Sequence, residues 1–124
     1  MGKRKLRGIS PAETEVLRII WELGQATIQQ IHENLPARRK IVYKTVLTMV
    51  RRLERKGYVD HKRQGKAHVY SAAVKREDVV RGTVLDFVDR LFGGDAGPLV
   101  QFLAEEGHID ADEFKRLKRI IDKA

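Results

Sequence analysis

The sequence predicts a mainly α-helical fold with one small β-hairpin, and three observations support this prediction. Apolar residues recur at helical spacing in segments that glycine or proline separates. Two short alternating segments, VDHKR and HVYSA, flank a turn at residues 64–67. The helix before this hairpin has basic residues on one side and apolar residues on the other. Three helices followed by a basic hairpin are typical of a winged helix-turn-helix, which we predict over residues 10–73.

The first two helices are predicted from their capping signals. A Ser10–Glu13 capping box opens the first helix, and Gly24 ends it. A Thr27–Gln30 box opens the second helix, which ends before Pro36. Residues 1–9 precede both helices and are predicted to form a basic N-terminal arm.

The third helix, at about residues 42–56, carries the stripe that we predict to contact DNA. Near the start of this helix, lysine can donate a hydrogen bond to guanine and threonine can offer a methyl group to thymine. The arginines further along the helix suit contacts with phosphates. Basic residues of the hairpin and of the connector before the helix can hold the DNA backbone. The predicted DNA-binding residues are Tyr43, Lys44, Thr45, Thr48, Arg51, Arg52, Arg63, Lys66, Arg39 and Lys40. The plainer alternative for each group is a solvated surface that only keeps the protein soluble.

The positive charge is confined to the first part of the chain. Residues 1–73 contain 16 Lys and Arg against 6 Asp and Glu, a net charge of +10. Residues 74–124 contain 9 against 11, a net charge of −2, and the whole chain carries +8. A basic surface favours partners rich in phosphate, and double-stranded DNA is the partner that a winged helix predicts. The second part therefore needs a different role.

Residues 74–124 are predicted to form a helical dimerisation region. One helix is expected at about residues 75–92, a short one near residues 98–105, and a last one after an Asp110–Glu113 capping box. Three amphipathic helices in about 50 residues make a poor independent core, so they need a partner surface. A second copy of the chain is the simplest partner and would give a symmetric homodimer. The predicted interface residues are Val80, Val84, Phe87, Leu91, Leu99, Phe102, Leu103, Phe114, Leu117 and Ile121.

Several functional classes are disfavoured by the composition. The chain has no cysteine, which excludes disulfides, thiolate metal sites and cysteine nucleophiles. The histidines lie in no catalytic or metal-binding spacing, and His61 with His68 would supply only two ligands. We therefore predict no enzyme activity, no cofactor and no metal, and we expect Trp21 and the phenylalanines in a core. No apolar run approaches the roughly 20 residues that span a membrane, so we expect a cytoplasmic protein without membrane insertion.

Three segments carry a resemblance to a known family. They are SPAETEVLRIIWELGQATIQQIHENL, VYKTVLTMVRRLERKGYVDHKRQGKAHVYSAAV and GGDAGPLVQFLAEEGHIDADEFKRLKRIID. Together they are similar to the penicillinase repressor family, of the BlaI and MecI type. The resemblance implies a homodimeric repressor that binds an inverted-repeat operator through its winged helix. It also implies base contacts by Lys44, Thr45 and Thr48, supported by Tyr43, Arg51 and the hairpin.

The resemblance further implies a route of induction. In the family's studied resistance systems, a membrane sensor-protease system leads to a cut in the dimerisation region at an Asn-Phe bond. This chain has Gln101-Phe102 at the matching place, so a sensor protease enters as a candidate partner and Gln101-Phe102 as a candidate cleavage site. A copper-responsive branch uses a cysteine-rich motif that this chain lacks. The start of the third helix also departs from the members that have Ser there, because Val42 and Tyr43 are poor N-caps.

Two other functions fit the same basic surface. A nonspecific architectural DNA-binding protein would lose affinity uniformly with salt and would show a small specificity ratio. A winged-helix adaptor would bind an acidic protein partner and would show no preference among DNA sequences.

Overall fold

The computed structural model describes residues 8–123, so the predicted basic arm lies almost wholly outside the described residues. Within them the chain forms six α-helices, one 3-10 turn and three strands. In chain order these are α1 (Pro11–Leu23), β1 (Gln25–Ala26), α2 (Ile28–Asn34), the 3-10 turn (Ala37–Arg39), α3 (Tyr43–Arg55), β2 (Val59–Gln64), β3 (Ala67–Ala72), α4 (Arg76–Phe92), α5 (Gly97–Glu105) and α6 (Ala111–Lys123). The prediction of a mainly α-helical fold with a small β-hairpin is confirmed. The chain divides into two compact units, the first ending at Val79 and the second beginning at Val80.

Both capping boxes predicted in the first unit form. At the start of α1, the Ser10 amide donates to Glu13 Oε1 at 2.9 Å and the Glu13 amide donates to Ser10 Oγ at 3.1 Å. Thr27 and Gln30 make the same reciprocal pair at the start of α2, also at 2.9 and 3.1 Å. Gly24 ends α1 with a φ of 82°, a conformation that favours glycine. The local sequence thus fixes where α1 and α2 begin, because each cap satisfies amides that have no partner within the helix.

The sheet contains one strand that the sequence did not predict. β2 and β3 pair as the predicted antiparallel hairpin, with Val59 opposite Ala72 and Gln64 opposite Ala67. The short β1 pairs with the other edge of β3, so the strand order over the described residues is β1-β3-β2. A strand of two residues has no alternation to detect, and only its pairing within the fold defines it.

The core of the first unit lies between its helices and the base of the hairpin. The largest fully buried side chains include Leu17, Ile20, Ile31, Leu53 and Val59, which come from α1, α2, α3 and β2. Trp21 packs against this core, as predicted, and its indole nitrogen lies 3.4 Å from the carbonyl oxygen of Val74. Because the apolar stripe of α3 faces this core, the basic stripe on its other side faces outward.

A buried carboxylate joins the start of α1 to the end of α3. Glu13 is 3% exposed, and its Oε1 accepts hydrogen bonds from the Ser10 amide at 2.9 Å and from Lys56 Nζ at 3.1 Å. Burial raises the pKa of Glu13, but the hydrogen bonds from Ser10 and Lys56 and the charge of Lys56 outweigh it and hold the pKa below its ordinary value. The capping pattern predicted the Ser10 contact but not the ion pair with Lys56, which lies 43 residues away.

The second unit is helical, as predicted. It contains most of α4, followed by α5 and α6. The predicted capping box precedes α6, where Asp110 and Glu113 exchange hydrogen bonds of 2.7 and 3.1 Å. Across residues 8–123, none of the helices is long and apolar enough to cross a membrane.

Most large apolar side chains of the second unit are exposed within the chain. They are Val80, Val84, Leu85, Phe87, Leu91, Val100, Phe102, Phe114, Leu117, Ile120 and Ile121. The prediction that phenylalanines lie in a core is therefore wrong for Phe87, Phe102 and Phe114, which are 47%, 56% and 58% exposed. The physical reason is size, since three helices of 9 to 17 residues bury too little surface among themselves.

Candidate nucleic-acid interface

The first half of α3 forms the centre of the candidate interface. Its inward stripe of Val46, Met49, Val50 and Leu53 fixes the rotation of the helix, so the opposite stripe is exposed. A shallow groove runs along that exposed stripe, and we call it the helix groove. It is lined by Val42, Lys44, Thr45, Thr48, Met49 and Arg52. The structure thus brings together three residues predicted to meet bases and one arginine predicted to meet phosphate, on a helix that fits the major groove of B-DNA.

The hydroxyl group of Thr48 already has a partner within the helix. Its Oγ1 donates to the carbonyl oxygen of Lys44 at 3.1 Å. Because this bond uses the hydroxyl hydrogen, Thr48 offers a ligand an acceptor oxygen and a methyl group. An acceptor suits the amino groups of adenine and cytosine, and a methyl group suits thymine.

A second shallow groove places the start of α3 beside the hairpin turn and the start of α2. We call it the hairpin groove. Tyr43 is 50% exposed and lines this groove together with Lys66, which lies in the turn between β2 and β3. Gln29 of α2 lines it too, and no pattern in the sequence distinguished this residue. The grooves bring the predicted helix and hairpin residues to neighbouring parts of one surface, since Tyr43 and Lys44 are adjacent in the chain.

Ring stacking orders the part of the hairpin that adjoins α3. His61 and His68 stack with their ring centroids 4.6 Å apart and their planes 14° from parallel. His61 Nδ1 lies 2.6 Å from Glu54 Oε2, which links β2 to α3. Burial, followed by the charge of Glu54, raises the pKa of the neighbouring Tyr70 phenol above its ordinary value. These contacts hold the hairpin against the helix that carries the helix groove.

The connector before α3 contains a cation that already has an ionic partner. Arg39 lies in the 3-10 turn, and its Nη2 is 3.3 Å from Glu15 Oε2 of α1. A DNA phosphate would have to compete with this carboxylate. Lys40 follows in a left-handed conformation with a φ of 51°. Together with Arg51 and Arg63, these two residues line neither groove, so four of the predicted DNA-binding residues lie outside the two grooves.

The histidines form no metal centre in the part of the chain that the structure describes. No three histidine or acidic side chains lie close enough there to hold an ion. His61 and His68 approach each other, but as stacked rings rather than as converging ligands.

Comparison with known proteins identifies a family. The profile of the family described as penicillinase repressor matches residues 9–123. The methicillin resistance regulatory protein MecI of Mammaliicoccus sciuri is 32% identical to this chain over 115 residues, which make up 93% of this chain and 94% of the relative.

Two solved structures resemble the winged-helix part. The solution structure of the DNA-binding domain of the repressor BlaI is 30% identical, with a TM-score of 0.54, and the match covers 61% of this chain and 93% of that one. The monomeric form of Bacillus licheniformis BlaI in complex with the blaP half-operator is 31% identical, with a TM-score of 0.52. That match covers 60% of this chain and 90% of the BlaI chain.

Proposed function

Since this chain belongs to the penicillinase repressor family, we propose that it represses transcription as a homodimer bound to an inverted-repeat operator. The chain is a DNA-binding transcriptional repressor and not an enzyme. The proposal adds the residues that contact DNA, the homodimer, the form of the operator and the cytoplasmic location of the repressor.

The observation that carries the assignment of DNA contacts is the helix groove. Lys44 can donate to guanine, Thr48 offers an acceptor and a methyl group, and Arg52 lies at the same groove to meet a phosphate. Tyr43 and Lys66 extend this surface through the hairpin groove to the hairpin turn. Arg39, Lys40, Arg51 and Arg63 belong to the proposal as phosphate contacts around the two grooves.

The homodimer is supported by the apolar surface of the second unit. The predicted interface residues Val80, Val84, Phe87 and Leu91 follow one side of α4, and each is at least 45% exposed. Phe102, Phe114, Leu117 and Ile121 add exposed apolar area on α5 and α6. Such a surface is unfavourable in water, and a second copy that covers it with the same surface gives a closed pair.

The mechanism follows from joining two winged helices. In a symmetric dimer, the two α3 helices enter successive major grooves about one helical turn apart. The second half-site is then bound at a high effective concentration, which raises affinity about 10²- to 10⁴-fold over one half-site. Whatever separates the protomers therefore releases the operator without touching a base contact.

The family resemblance suggests that the repressor is induced by proteolysis that depends on a sensor protease. The candidate bond between Gln101 and Phe102 lies inside α5, and both residues are exposed. A cut there would sever α6 from α4 and divide the proposed interface. Because this peptide bond lies within a helix, α5 would have to unwind locally before a protease could cut it.

The proposal is tested by selecting binding sites from a randomised DNA pool with the full-length chain at near-physiological salt. We expect an enriched inverted repeat whose half-sites are about one helical turn apart. A single enriched half-site would argue against the homodimer, and recovery of DNA without a motif would contradict sequence-specific binding.

Replacing Lys44 with alanine tests the helix groove. We expect Lys44→Ala to weaken operator binding by about 1–3 kcal/mol and to relax the preference for one base pair, because a donor to guanine is lost. Fluorescence anisotropy on the selected operator and on its single-base variants measures both effects. Lys115→Ala, at an exposed position of α6, is the matched control. If the base preference is unchanged in Lys44→Ala, the proposal that α3 reads the bases of the operator is contradicted.

Replacing Lys66 with alanine tests the hairpin. We expect Lys66→Ala to weaken binding to all DNA sequences by a similar factor and to lower the salt slope by about 1, because a phosphate contact is lost. The measurement is the affinity for operator and unrelated DNA over a range of salt concentrations. A loss confined to the operator would instead mean that the hairpin reads bases.

A further inference from the structure

We propose that Val42 reads the methyl group of a thymine in the operator half-site and is therefore a specificity-determining residue. This inference rests on the proposed function, since it assumes that the helix groove meets base edges. It assigns a role to a residue outside the predicted DNA-binding set.

The first observation is that Val42 breaks a rule of local sequence. It occupies the N-cap position of α3, where Ser, Thr, Asp or Asn normally accepts a hydrogen bond from the first turn, and it makes no side-chain cap. The other two helices of the winged-helix part both begin with a complete capping box. Local rules are most often broken at functional sites, so the valine calls for an explanation from function.

The second observation is that burial does not explain the valine. Val42 is 61% exposed and is not part of the hydrophobic core. Its neighbours differ, because Val46 belongs to the core and Ile41 and Leu47 pack against it. The residue therefore forgoes a cap and gains no core contact in exchange. The apolar side chain of Val42 is therefore open to any ligand that covers the helix groove.

The third observation is that the backbone holds Val42 in place on both sides. His32 Nε2 lies 2.7 Å from the carbonyl oxygen of Ile41, and the His32 ring meets the Tyr43 ring edge-on at 6.4 Å. The carbonyl oxygen of Val42 accepts the amides of Thr45 at 3.0 Å and of Val46 at 3.2 Å. The backbone at Val42 is thus held in a fixed position, which lowers the entropic cost of contact between this residue and a ligand.

The chemistry of the helix groove identifies that ligand. Val42 lines the groove beside Lys44 and Arg52, whose charges suit DNA, and beside the methyl-bearing Thr45 and Thr48. In the major groove, the C5 methyl of thymine is the apolar group that distinguishes a base pair. Burying one methyl group against Val42 should raise affinity about fourfold.

The test replaces each thymine of the selected operator in turn with deoxyuridine, which removes only the methyl group. The full-length protein should lose about fourfold in affinity at one or more of these positions. In Val42→Ser, the same replacement should cause no further loss at the position that Val42 reads. Because serine is a good N-cap, this variant should unfold at the same or a higher urea concentration, so unfolding cannot account for the result. Val42→Ala neither caps the helix nor reaches the thymine methyl group. In this variant too, deoxyuridine at the position that Val42 reads should cause no further loss of affinity.

Thr48→Ser is the control at the other methyl-bearing position, because it removes the methyl group of Thr48 from the helix groove and keeps the hydroxyl. If the deoxyuridine effect disappears in Thr48→Ser and persists in Val42→Ser, the methyl group is read by Thr48 and the inference is overturned. A specific operator that tolerates deoxyuridine at every thymine overturns the inference but leaves the proposed function intact. If no sequence is preferred at all, the proposed function fails as well.

Discussion

Leu91→Asp should convert the protein to a monomer and lower its affinity for the full operator by about 100-fold or more. Leu91 is 62% exposed on the apolar side of α4, so the substitution removes no core contact within the chain. In the proposed dimer the new aspartate would be buried against apolar side chains. Moving a carboxylate from water into such surroundings has a large free-energy cost, which opposes dimerisation. Sedimentation at micromolar concentration measures the dimer, and anisotropy on full and half operators measures the binding.

The control for this result is Leu85→Asp. Leu85 lies on the same helix and is 57% exposed, but its position in the helical repeat puts it away from Val80, Val84 and Leu91. We expect Leu85→Asp to stay dimeric and to keep its operator affinity. Affinity for a single half-site should be the same in both variants. A Leu91→Asp protein that remains a dimer would show that this side of α4 is not in the interface. Equal loss in both variants would mean that the interface also reaches the side of α4 that carries Leu85, which would contradict the proposed face.

Lys56→Met should lower the free energy of unfolding by about 3 kcal/mol at neutral pH, because it leaves the buried Glu13 carboxylate without its ionic partner. The Ser10 amide would still donate to Glu13, but the second carboxylate oxygen has no hydrogen-bond partner among the described residues. Urea unfolding measures the loss. Lys62→Met, at an exposed position of β2, should change stability by less than about 0.5 kcal/mol.

A double substitution separates the charge from the packing. Glu13→Gln with Lys56→Met leaves no buried charge, so we expect it to be more stable than Lys56→Met alone. If the double variant is as unstable as the single one, the cost comes from the lost lysine side chain and not from the carboxylate.

The pH dependence of the same pair has a definite sign. The pKa of Glu13 is lowered in the folded protein from an ordinary value of 4.5, so its contribution to stability is present above that value and is lost as the pH falls through the folded pKa. In Lys56→Met, burial without the cation would raise the pKa of Glu13. As the pH falls, protonation would therefore remove the buried negative charge and restore part of the lost stability. The difference in stability between wild type and Lys56→Met should therefore shrink in acid. A difference that grows in acid would contradict this account.

Much of the winged-helix part was predictable because local signals determine it. Reciprocal capping pairs at Ser10 and Thr27 mark two helix starts, and the alternation around Gly65 marks the hairpin. The rotation of α3 followed from its apolar stripe, so exposure of Lys44 and Thr48 followed too. These features depend on residues within a few positions of one another, where spacing in the sequence determines spacing in the fold.

What could not be predicted depends on contacts between distant segments. β1 exists only because Gln25 and Ala26 pair with β3, and the Lys56–Glu13 ion pair joins residues 43 positions apart. The links from Glu54 to His61 and from Glu15 to Arg39 likewise join different elements, so no periodicity reports them. The sequence placed Phe87 and Phe114 both in a core and on the predicted dimer interface, because spacing identifies an apolar face but not what covers it.

The ion pair between Arg39 and Glu15 bears on how fast the repressor could find its operator. A genome offers about 10⁶–10⁹ competing sites, and each presents phosphates to any free cation. The proposed phosphate contact of Arg39 would first have to displace Glu15, at 3.3 Å, so Arg39 would add less to the affinity for those sites than a cation without an ionic partner. Weaker attachment to unrelated DNA shortens each encounter there. A carboxylate beside a proposed phosphate contact would therefore favour a rapid search over tight binding to DNA in general.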